Sequence, residues 1–318
     1  MASCSIVIRA YNEEKHLPRL LTGIQQQTIR DIQVILVDSG STDQTAAIAR
    51  QYGAEVVYIQ PQEFTFGRSL NRGVEAARSD LVVIASAHVY PVYPDWLERL
   101  LDPFVEPKVA LTYGKQRGAA DTHFSEHQIF RQWFPDEPQI NQAHPFCNNA
   151  NAAIRRTLWQ DHPYDELLTG LEDLAWARWA QTQGHGIRYV PEAEVIHVHH
   201  ETWHGIYNRY RREAIAFKQI YPQETFTAGD FFRLLRAHIR NDWQTAWRER
   251  VFGKVWLDVV RFRWQQLRGT YTGYRQSGPV TWQLKKAFYY PRWNHEPPVQ
   301  RDVKPIDYQQ TSEPEVRS

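Results

Sequence analysis

The sequence predicts an α/β protein with a doubly wound, mostly parallel sheet and a C-terminal helical extension. Over residues 4 to 105, short runs of β-favouring apolar residues alternate with helical patterns. This β-α-β-α order is typical of a parallel sheet with helices on both faces. Beyond residue 205 the pattern changes to Arg and Trp at helical spacing, which predicts the extension.

The individual elements follow from hydrophobic patterning. The predicted strands are near-continuous apolar runs, as expected where both faces of a sheet are covered. They span residues 4 to 10, 32 to 38, 54 to 59 and 80 to 86. Helical patterns cover residues 14 to 26, 43 to 51, 67 to 78 and 94 to 105, the second opened by the capping sequence "STDQT". Farther on, the sequence predicts a helix over 172 to 183 and a strand over 187 to 200.

Charge and composition divide the chain into three parts. Residues 1 to 205 carry 17 basic and 25 acidic side chains, net −8, and are expected to form the α/β domain. Residues 206 to 295 carry 17 basic and 6 acidic side chains, net +11, and are expected to form the helical extension. Residues 296 to 318 are polar and contain proline, which predicts a disordered tail. The basic part favours an anionic partner, either phospholipid headgroups or a phosphate-bearing substrate.

The cysteines and the N-terminus bear on the compartment. Cys4 and Cys147 lie far apart and form no C-x-x-C pair, so we expect a reducing environment. The N-terminus runs into a strand without a signal-peptide pattern, and no apolar run approaches the roughly 20 residues that span a bilayer. We therefore expect a cytoplasmic protein, either free or peripheral on the inner face of the cell membrane.

Three motifs carry a family resemblance. "SIVIRAYNEEKHLPRLL", "VILVDSGSTDQT" and "EDLAWARW", in that order and spacing, resemble glycosyltransferase family 2, whose members are inverting nucleotide-sugar transferases of the GT-A fold, a Rossmann-like fold. The resemblance covers residues 4 to 200. "EFTFGRSLNRGVEAA" and "SAHVYP" are similar to the subgroup labelled rhamnosyltransferase-like. The family resemblance implies an enzyme that uses a UDP-, dTDP- or GDP-sugar as donor.

The first two motifs end strands at the edge of the sheet where ligands bind. Tyr11 is able to cover a base, and the resemblance implies that Glu13 accepts from ribose hydroxyls and that Asp38 binds the nucleobase. The alternative for Glu13 is a carboxylate stabilised by the helix dipole. Asp43 is better explained as such a helix-terminal carboxylate.

Other donor-binding candidates lie at the next helix. Arg68 and Asn71 in "FGRSLNRG" stand at a helix start, where backbone N–H groups and a guanidinium suit a diphosphate. The alternative is a solvated position for Arg68. The full set of expected nucleotide-sugar-binding residues is Ala10, Tyr11, Glu13, Asp38, Arg68, Asn71 and Ala87.

The expected metal site departs from the family pattern. In the family, a D-x-D element after the fourth strand binds a divalent cation that bridges the donor phosphates, whereas this chain has Ser86, Ala87 and His88 there. Imidazole suits Mn²⁺ better than Mg²⁺, so we expect Mn²⁺. His197 and His199 alternate along a strand and point to one side, and the resemblance places a metal-ligand histidine in this neighbourhood. The alternatives are direct contact of His88 with the diphosphate and a solvated histidine surface.

The acceptor side is expected at "GLEDLAW" and "CNNANAAIRR". Inverting transfer needs a base for the acceptor hydroxyl, and the resemblance assigns it to Asp173, with Glu172 orienting the acceptor or Asp173. Two capping carboxylates are the alternative. The amides of Asn148, Asn149 and Asn151 are expected to line the sugar and acceptor pocket, because amides both donate to and accept from hydroxyls.

These inferences predict an inverting transferase that moves a sugar to a saccharide or lipid-linked acceptor in cell-surface polysaccharide synthesis. The missing aspartates leave an alternative, an inactive member that serves as a binding or scaffolding subunit. The C-terminal Trp and Arg residues fit either core-packing helices or an amphipathic surface on an anionic membrane. No nucleic-acid-binding motif accompanies them, so no nucleic-acid partner is expected. A dinucleotide-dependent oxidoreductase is disfavoured because no G-x-G-x-x-G follows the first strand.

Overall fold

The computed structural model describes residues 4–140, 142–199, 201–276, 278 and 281–290. Its first half alternates strands and helices as predicted. The strands are β1 (Cys4–Ala10), β2 (Ile32–Asp38), β3 (Glu55–Tyr58) and β4 (Leu81–Ser86). The helices are α1 (Leu17–Gln25), α2 (Thr45–Gln51), α3 (Phe66–Ala76) and α4 (Trp96–Leu101), the last continued by a 3₁₀ turn over Asp102–Val105. The predicted α/β class is confirmed.

Four further strands turn the parallel sheet into a mixed one. They are β5 (Val89–Pro91), β6 (Val109–Gly118), β7 (Asn151–Arg155) and β8 (Gly186–His197). The sheet order is β3-β2-β1-β4-β7-β6-β8-β5. Strands β3 to β4 are parallel, β7 runs antiparallel to both β4 and β6, and β8 runs parallel to β6. The sequence predicted β8 but none of the other three.

Two apolar layers cover the faces of this sheet. One contains Leu17, Leu20 and Trp96 from the helices over β1 and β4, and the other contains Leu70, Trp176 and Tyr189. Strand residues Ile6 and Val7 alternate between the layers, as neighbouring strand residues must. Burial on both faces explains why the strands are continuous apolar runs.

Helices form the rest of the described chain. They are α5 (Phe124–Trp133), α6 (Arg156–Asp161), α7 (Glu172–Thr182), α8 (Trp203–Ile220), α9 (Ala228–Arg248), α10 (Phe252–Tyr274) and α11 (Trp282–Tyr289). Helix α10 packs closely on α8 because Gly269 and Gly273 carry no side chain there. A Cβ at these positions would lie 2.4 Å from the Tyr207 carbonyl oxygen and 2.5 Å from that of Arg211.

The helices after residue 205 agree with the predicted helical extension, while its division from the α/β domain stays a prediction. The predicted disordered tail, 296 to 318, lies outside the described residues. Within the described residues no helix has the length and apolar character needed to cross a membrane.

Candidate active site

A cleft of about 700 Å³ opens where the chain leaves β1, β4 and β8. The start of α7 and one side of α8 form its opposite wall. It brings together most of the predicted catalytic, metal-ligand and acceptor residues. Those in its wall are Glu13, His88, Asn148, Asn149, Glu172, Asp173, His197 and His199.

The acid pair begins helix α7. Leu171 precedes it with a left-handed backbone, φ 56°, which turns the chain sharply into the helix. Asp173 is 8% exposed, and its carboxylate accepts from the backbone N–H of Asn149 at 3.0 Å and of Leu174 at 2.8 Å. Burial, followed by the neighbouring charge of Glu172, raises the pKa of Asp173 to about 7. Such a carboxyl group is a good general base near neutral pH.

Glu172 is held by a cation that the sequence did not single out. Arg9 Nη1 donates to Glu172 Oε1 at 3.3 Å, and both side chains line the cleft. The guanidinium of Arg9 also lies 4.6 Å from the ring centroid of Phe66, as does that of Arg212. Among the described residues, the Arg212 guanidinium has no hydrogen-bond or ion-pair partner. Two cations therefore stand near the acid pair.

The three predicted asparagines have different surroundings. Asn149 is 2% exposed and lines the cleft, yet neither its Nδ2 nor its Oδ1 has a partner within the described chain. Asn148 also lines the cleft, and its Oδ1 accepts from the Ala150 N–H at 2.9 Å. Asn151 lies outside the cleft wall. Its amide is committed to the Trp96 indole N–H at 2.9 Å and to the Ala193 carbonyl at 2.8 Å, so it supports the sheet.

His197 and His199 face each other at the end of β8. Their Nε2 atoms are 3.0 Å apart. His197 Nδ1 donates to Gln116 Oε1 at 2.8 Å, and His199 Nδ1 donates to Glu126 Oε1 at 2.7 Å. Burial lowers the pKa of His197 well below its usual value. The two Nε2 atoms therefore point into the same small space, where they share either a proton or a cation.

His88 completes a group of three imidazoles. One ligand atom from each of His88, His197 and His199 lies within 4.8 Å of the others. The His88 ring stacks on that of His197, with centroids 5.1 Å apart. His88 Nδ1 is 2.7 Å from Glu13 Oε1, and Nε2 is 3.1 Å from Ser86 Oγ. Glu13 thus contacts the candidate metal group as well as lining the cleft.

The residues predicted to bind the base lie beside the cleft. Asp38 is fully buried, and its carboxylate accepts from the Ser41 N–H at 3.3 and 3.2 Å. Tyr11 meets the ring of Tyr290 edge-on, with centroids 4.7 Å apart, and Tyr290 OH donates to the Ser39 carbonyl at 3.1 Å. Tyr290, directly after α11, therefore covers this area. The Ala10 carbonyl accepts from the Ser39 N–H at 3.1 Å, and Ala87 is fully buried beside His88.

The structure does not bring Arg68 and Asn71 into the cleft. Arg68 Nε donates to Glu166 Oε2 at 2.7 Å. Asn71 donates to the Tyr164 carbonyl at 2.9 Å and to Glu166 Oε1 at 3.0 Å, and its Oδ1 accepts from the Trp159 indole N–H at 2.9 Å. These contacts hold the segment that leads to the acid pair. Asp43 binds backbone at the start of α2, where its Oδ1 accepts from the Thr45 N–H at 2.9 Å, and it also lies in the cleft wall.

Sequence reasoning missed the residues that support the site. Gln116 and Glu126 hold the two facing histidines, but each lies in a run of polar residues, one in a strand and one in a helix, and no motif marks it. Glu126 is 2% exposed, which is unusual for a carboxylate without a partner. Arg209 supplies that partner with an Nη2 atom 2.6 Å from Glu126 Oε1. Only the abundance of Arg in the extension hinted at such a role.

Comparisons with known proteins bear on the family. The family model described as Glycosyl transferase family 2 matches residues 5–162. O-antigen chain rhamnosyltransferase WbaN of Salmonella anatum is 27% identical over 258 residues, which cover 76% of this chain and 81% of the relative. O-antigen chain rhamnosyltransferase RfbN of Salmonella typhimurium is 25% identical over 253 residues, which cover 74% of this chain and 80% of the relative.

Solved structures share the fold. The mannosyltransferase PcManGT from Pyrobaculum calidifontis, solved with GDP-Man and Mn²⁺, matches with a TM-score of 0.59 at 15% identity, covering 85% of this chain and 86% of that one. Residues 1–349 of Staphylococcus aureus TarS, solved with UDP, match with a TM-score of 0.53 at 17% identity, covering 86% and 90%. The family model spans β1 to α6, which include the two strands that lead into Glu13 and His88. On this match the chain belongs to glycosyltransferase family 2 and is a glycosyltransferase of the GT-A fold.

Proposed function

We propose that the protein transfers a sugar, with inversion, from a nucleoside-diphosphate sugar to a hydroxyl of a saccharide or lipid-linked acceptor in cell-surface polysaccharide synthesis. The observation that carries the proposal is Asp173, a carboxyl group with a raised pKa in a cleft whose other wall holds three histidines. The two Salmonella relatives are O-antigen chain rhamnosyltransferases, so rhamnose is the first donor sugar to test.

Asp173 acts as the general base in this proposal. Direct displacement at the anomeric carbon inverts its configuration, and the acceptor hydroxyl loses its proton as it attacks. The N–H groups of Asn149 and Leu174 each bind one Asp173 oxygen, so the carboxylate has a fixed orientation. The proton moves from the acceptor oxygen to Asp173 and leaves to solvent after the product departs. Glu172, paired with Arg9, remains a charged neighbour that keeps Asp173 basic.

The facing histidines fit a divalent cation. The Nε2 atoms of His197 and His199 lie 3.0 Å apart, and their Nδ1 atoms are held by an amide oxygen and a carboxylate oxygen, as those of metal-bound imidazoles usually are. Both Nε2 atoms would bind the cation, which would take the place of a proton between them. His88 would be the third ligand, and nitrogen ligands favour Mn²⁺ over Mg²⁺.

A cation bound there supplies charge that stabilises the departing nucleoside diphosphate. This chain's own residues do the rest of the positioning. The unpartnered amide of Asn149 is available for sugar hydroxyls, since it donates through Nδ2 and accepts through Oδ1. Arg212, near the acid pair, is available for a phosphate oxygen. Tyr11 and Asp38 are proposed to receive the base once Tyr290 has moved.

A screen of nucleotide-sugars tests this function. The purified chain is incubated with UDP-, dTDP- and GDP-sugars in Mn²⁺, Mg²⁺ or chelator, and nucleoside diphosphate release and sugar transfer are measured. We expect release from one nucleotide class, faster in Mn²⁺ than in Mg²⁺ and abolished by chelator. Failure of UDP, dTDP and GDP to bind by calorimetry, with and without Mn²⁺, would contradict the proposal.

A further inference from the structure

We propose that the outward face of the α9 and α10 pair binds the surface of an anionic phospholipid bilayer. This face, called here the α9–α10 face, is marked by Phe232, Arg236 and Trp247 on α9 and by Leu257, Arg261 and Trp264 on α10. None of these six residues lines the cleft. The inference concerns where the protein works, and so goes beyond the transfer reaction.

A buried ion pair fixes which sides of the two helices point inward. Arg263 of α10 donates to Asp242 of α9 at 2.7 and 2.9 Å, and these side chains are 5% and 2% exposed. Ser125 of α5 adds a third contact, with its Oγ 2.6 Å from Asp242 Oδ2. Breaking such a pair leaves an uncompensated buried charge, so the orientation of both helices is strongly maintained.

Other sides of the two helices carry apolar and basic residues at helical spacing. On α9, Phe232, Arg236, Ile239, Trp243 and Trp247 follow one another three or four positions apart, so they share one stripe. On α10, a second stripe runs along Lys254, Leu257, Arg261, Trp264 and Arg268. An apolar groove of about 280 Å³ lies between them, lined by Leu235, Ile239, Val260 and Trp264 among others. The two stripes therefore form one continuous face.

Large apolar side chains on this pair of helices are exposed to an unusual degree. Five of the eleven exposed large hydrophobic residues in the described chain lie on α9 and α10. Phe232 is 64% exposed, Trp247 is 72% exposed and Trp264 is 44% exposed. Exposed apolar groups gathered in one patch indicate an interaction surface, and Trp is favoured where one end of a side chain meets lipid and the other water.

The charge of the face selects an anionic partner. Residues 228 to 274 contain nine basic and four acidic side chains. Each acid is already paired: Asp230 with Arg233, Asp242 with Arg263, Glu249 with Arg131 and Asp258 with His123. Arg236, Arg240 and Arg261 have no ion-pair partner in the part of the chain that the structure describes. Unpaired arginines around exposed tryptophans are the combination that anionic bilayers bind.

The start of α8 contributes residues both to the apolar groove and to the cleft. Trp203 lines the apolar groove, and Glu201, close before it in sequence, lines the cleft. The start of α8 thus connects the α9–α10 face with the wall that holds the histidines. A bilayer bound at this face would bring membrane-attached acceptors near the α8 side of the cleft.

Vesicle co-sedimentation of the full chain tests the proposal. The probes are vesicles of phosphatidylcholine alone and of equimolar phosphatidylcholine and phosphatidylglycerol. We expect at least tenfold tighter binding to the phosphatidylglycerol vesicles, weakened by added salt because the headgroup attraction is screened. A double variant, Trp247→Ser with Trp264→Ser, and a triple variant, Arg236→Gln, Arg240→Gln and Arg261→Gln, should each reduce this binding at least tenfold.

Matched controls keep the result specific. Trp133→Ser removes a Trp that is also 44% exposed but lies on α5, and Arg78→Gln removes an exposed Arg on the far side of the α/β domain; both should bind like the wild type. Thermal melts should show that all variants fold. Equal binding to both vesicle types, no binding, or unchanged binding of the two face variants would overturn the proposal. So would binding of single-stranded oligonucleotides, instead of vesicles, through the same residues.

Discussion

The Nε2 atoms of His197 and His199 lie 3.0 Å apart, while the Nδ1 atom of each ring is bound by a separate oxygen. Neither ring is able to rotate away without losing that second contact. A cation bound between the two Nε2 atoms would take the place of the proton that a hydrogen bond between them requires. The arrangement supports a metal site built from imidazoles in place of the aspartates that the family resemblance led us to expect.

The change His199→Ala should therefore weaken Mn²⁺ binding. We expect a loss of at least tenfold in affinity, since a ligand contributes more than the outer-shell partners whose removal costs about 10- to 100-fold. Calorimetry with Mn²⁺, in the presence of the nucleoside diphosphate that the screen identifies, measures it. His204→Ala, at an exposed position on α8, is the control. Equal Mn²⁺ affinity of both variants would exclude His199 as a ligand.

The pH dependence of the reaction should follow Asp173. Burial and the charge of Glu172 raise the pKa of Asp173 to about 7, and the base works only when ionised. With saturating metal, kcat/KM should fall about tenfold for each pH unit below that pKa. Glu172→Gln removes the charge that helps to raise the pKa, so the acid limb should move to lower pH. An acid limb that stays in place in Glu172→Gln would contradict this coupling.

Asn149 should bind substrate while contributing little to folding. Its amide is 2% exposed and unpartnered among the described residues, so Asn149→Ala removes no internal side-chain hydrogen bond. We expect KM for one substrate to rise about tenfold with little change in unfolding free energy, as losing about one hydrogen bond predicts. Asn151→Ala, which abandons the Trp96 and Ala193 contacts, should instead destabilise the fold by about 1 to 3 kcal/mol. Steady-state kinetics measure the change in KM, and urea melts measure the change in stability. A destabilised Asn149→Ala together with a raised KM in a stable Asn151→Ala would refute the assignment of Asn149 as the substrate-binding amide.

Tyr290 should compete with the nucleobase. It is 2% exposed, packs on Tyr11 and binds the Ser39 carbonyl beside Asp38. A base that stacks on Tyr11 needs this space, so Tyr290→Ala should tighten nucleoside diphosphate binding about tenfold by removing the need to displace the ring. Tyr290→Phe loses only the hydroxyl contact. Its affinity for the nucleoside diphosphate should lie between the affinities of Tyr290→Ala and of the wild type. Weaker binding of Tyr290→Ala in calorimetry would mean that Tyr290 belongs to the wall that holds the base.

The local sequence pattern was sufficient to predict part of the fold and part of the site. The strands β1 to β4 are uninterrupted apolar runs, and the polar residues after β1 and β4 were predicted to share a ligand edge, where Glu13 and His88 now meet at 2.7 Å. The helix start at Glu172 was likewise visible. In these cases the chemistry and the backbone signal are neighbours in sequence.

Contacts between distant segments were not predictable in this way. Tyr290 lies far along the chain from Tyr11, and no periodicity relates them. Glu126 and His199 are separated along the chain by β7, α6, α7 and β8, so a buried carboxylate in α5 gave no indication of the ring it holds. Asn71 and Asn151 have the same residue type as Asn149, but their amides are satisfied internally, which depends on the packing of Trp159 and Trp96. Residue type in a motif does not distinguish a binding amide from a supporting one.

Sugar transfer by Asp173→Asn tests most directly whether Asp173 is the general base. The amide keeps the shape of the carboxylate but accepts no proton, so we expect transfer to fall at least 100-fold, since general base catalysis contributes about 10²- to 10⁴-fold. Nucleoside diphosphate binding should be unchanged.

The stability of Asp173→Asn is a second measurement on the same variant. Because burial raises the pKa of Asp173 above the ordinary value of 3.8, ionising it destabilises the wild type as pH rises from about 4 to about 7. Asp173→Asn lacks that loss, but its Nδ2 takes the place of an oxygen that accepts a backbone N–H, so its gain in stability at pH 8 should be smaller than about 4 kcal/mol, the equivalent of the shift. A stable variant that binds nucleotide and has lost transfer is the predicted result, whereas wild-type transfer by Asp173→Asn would contradict the account.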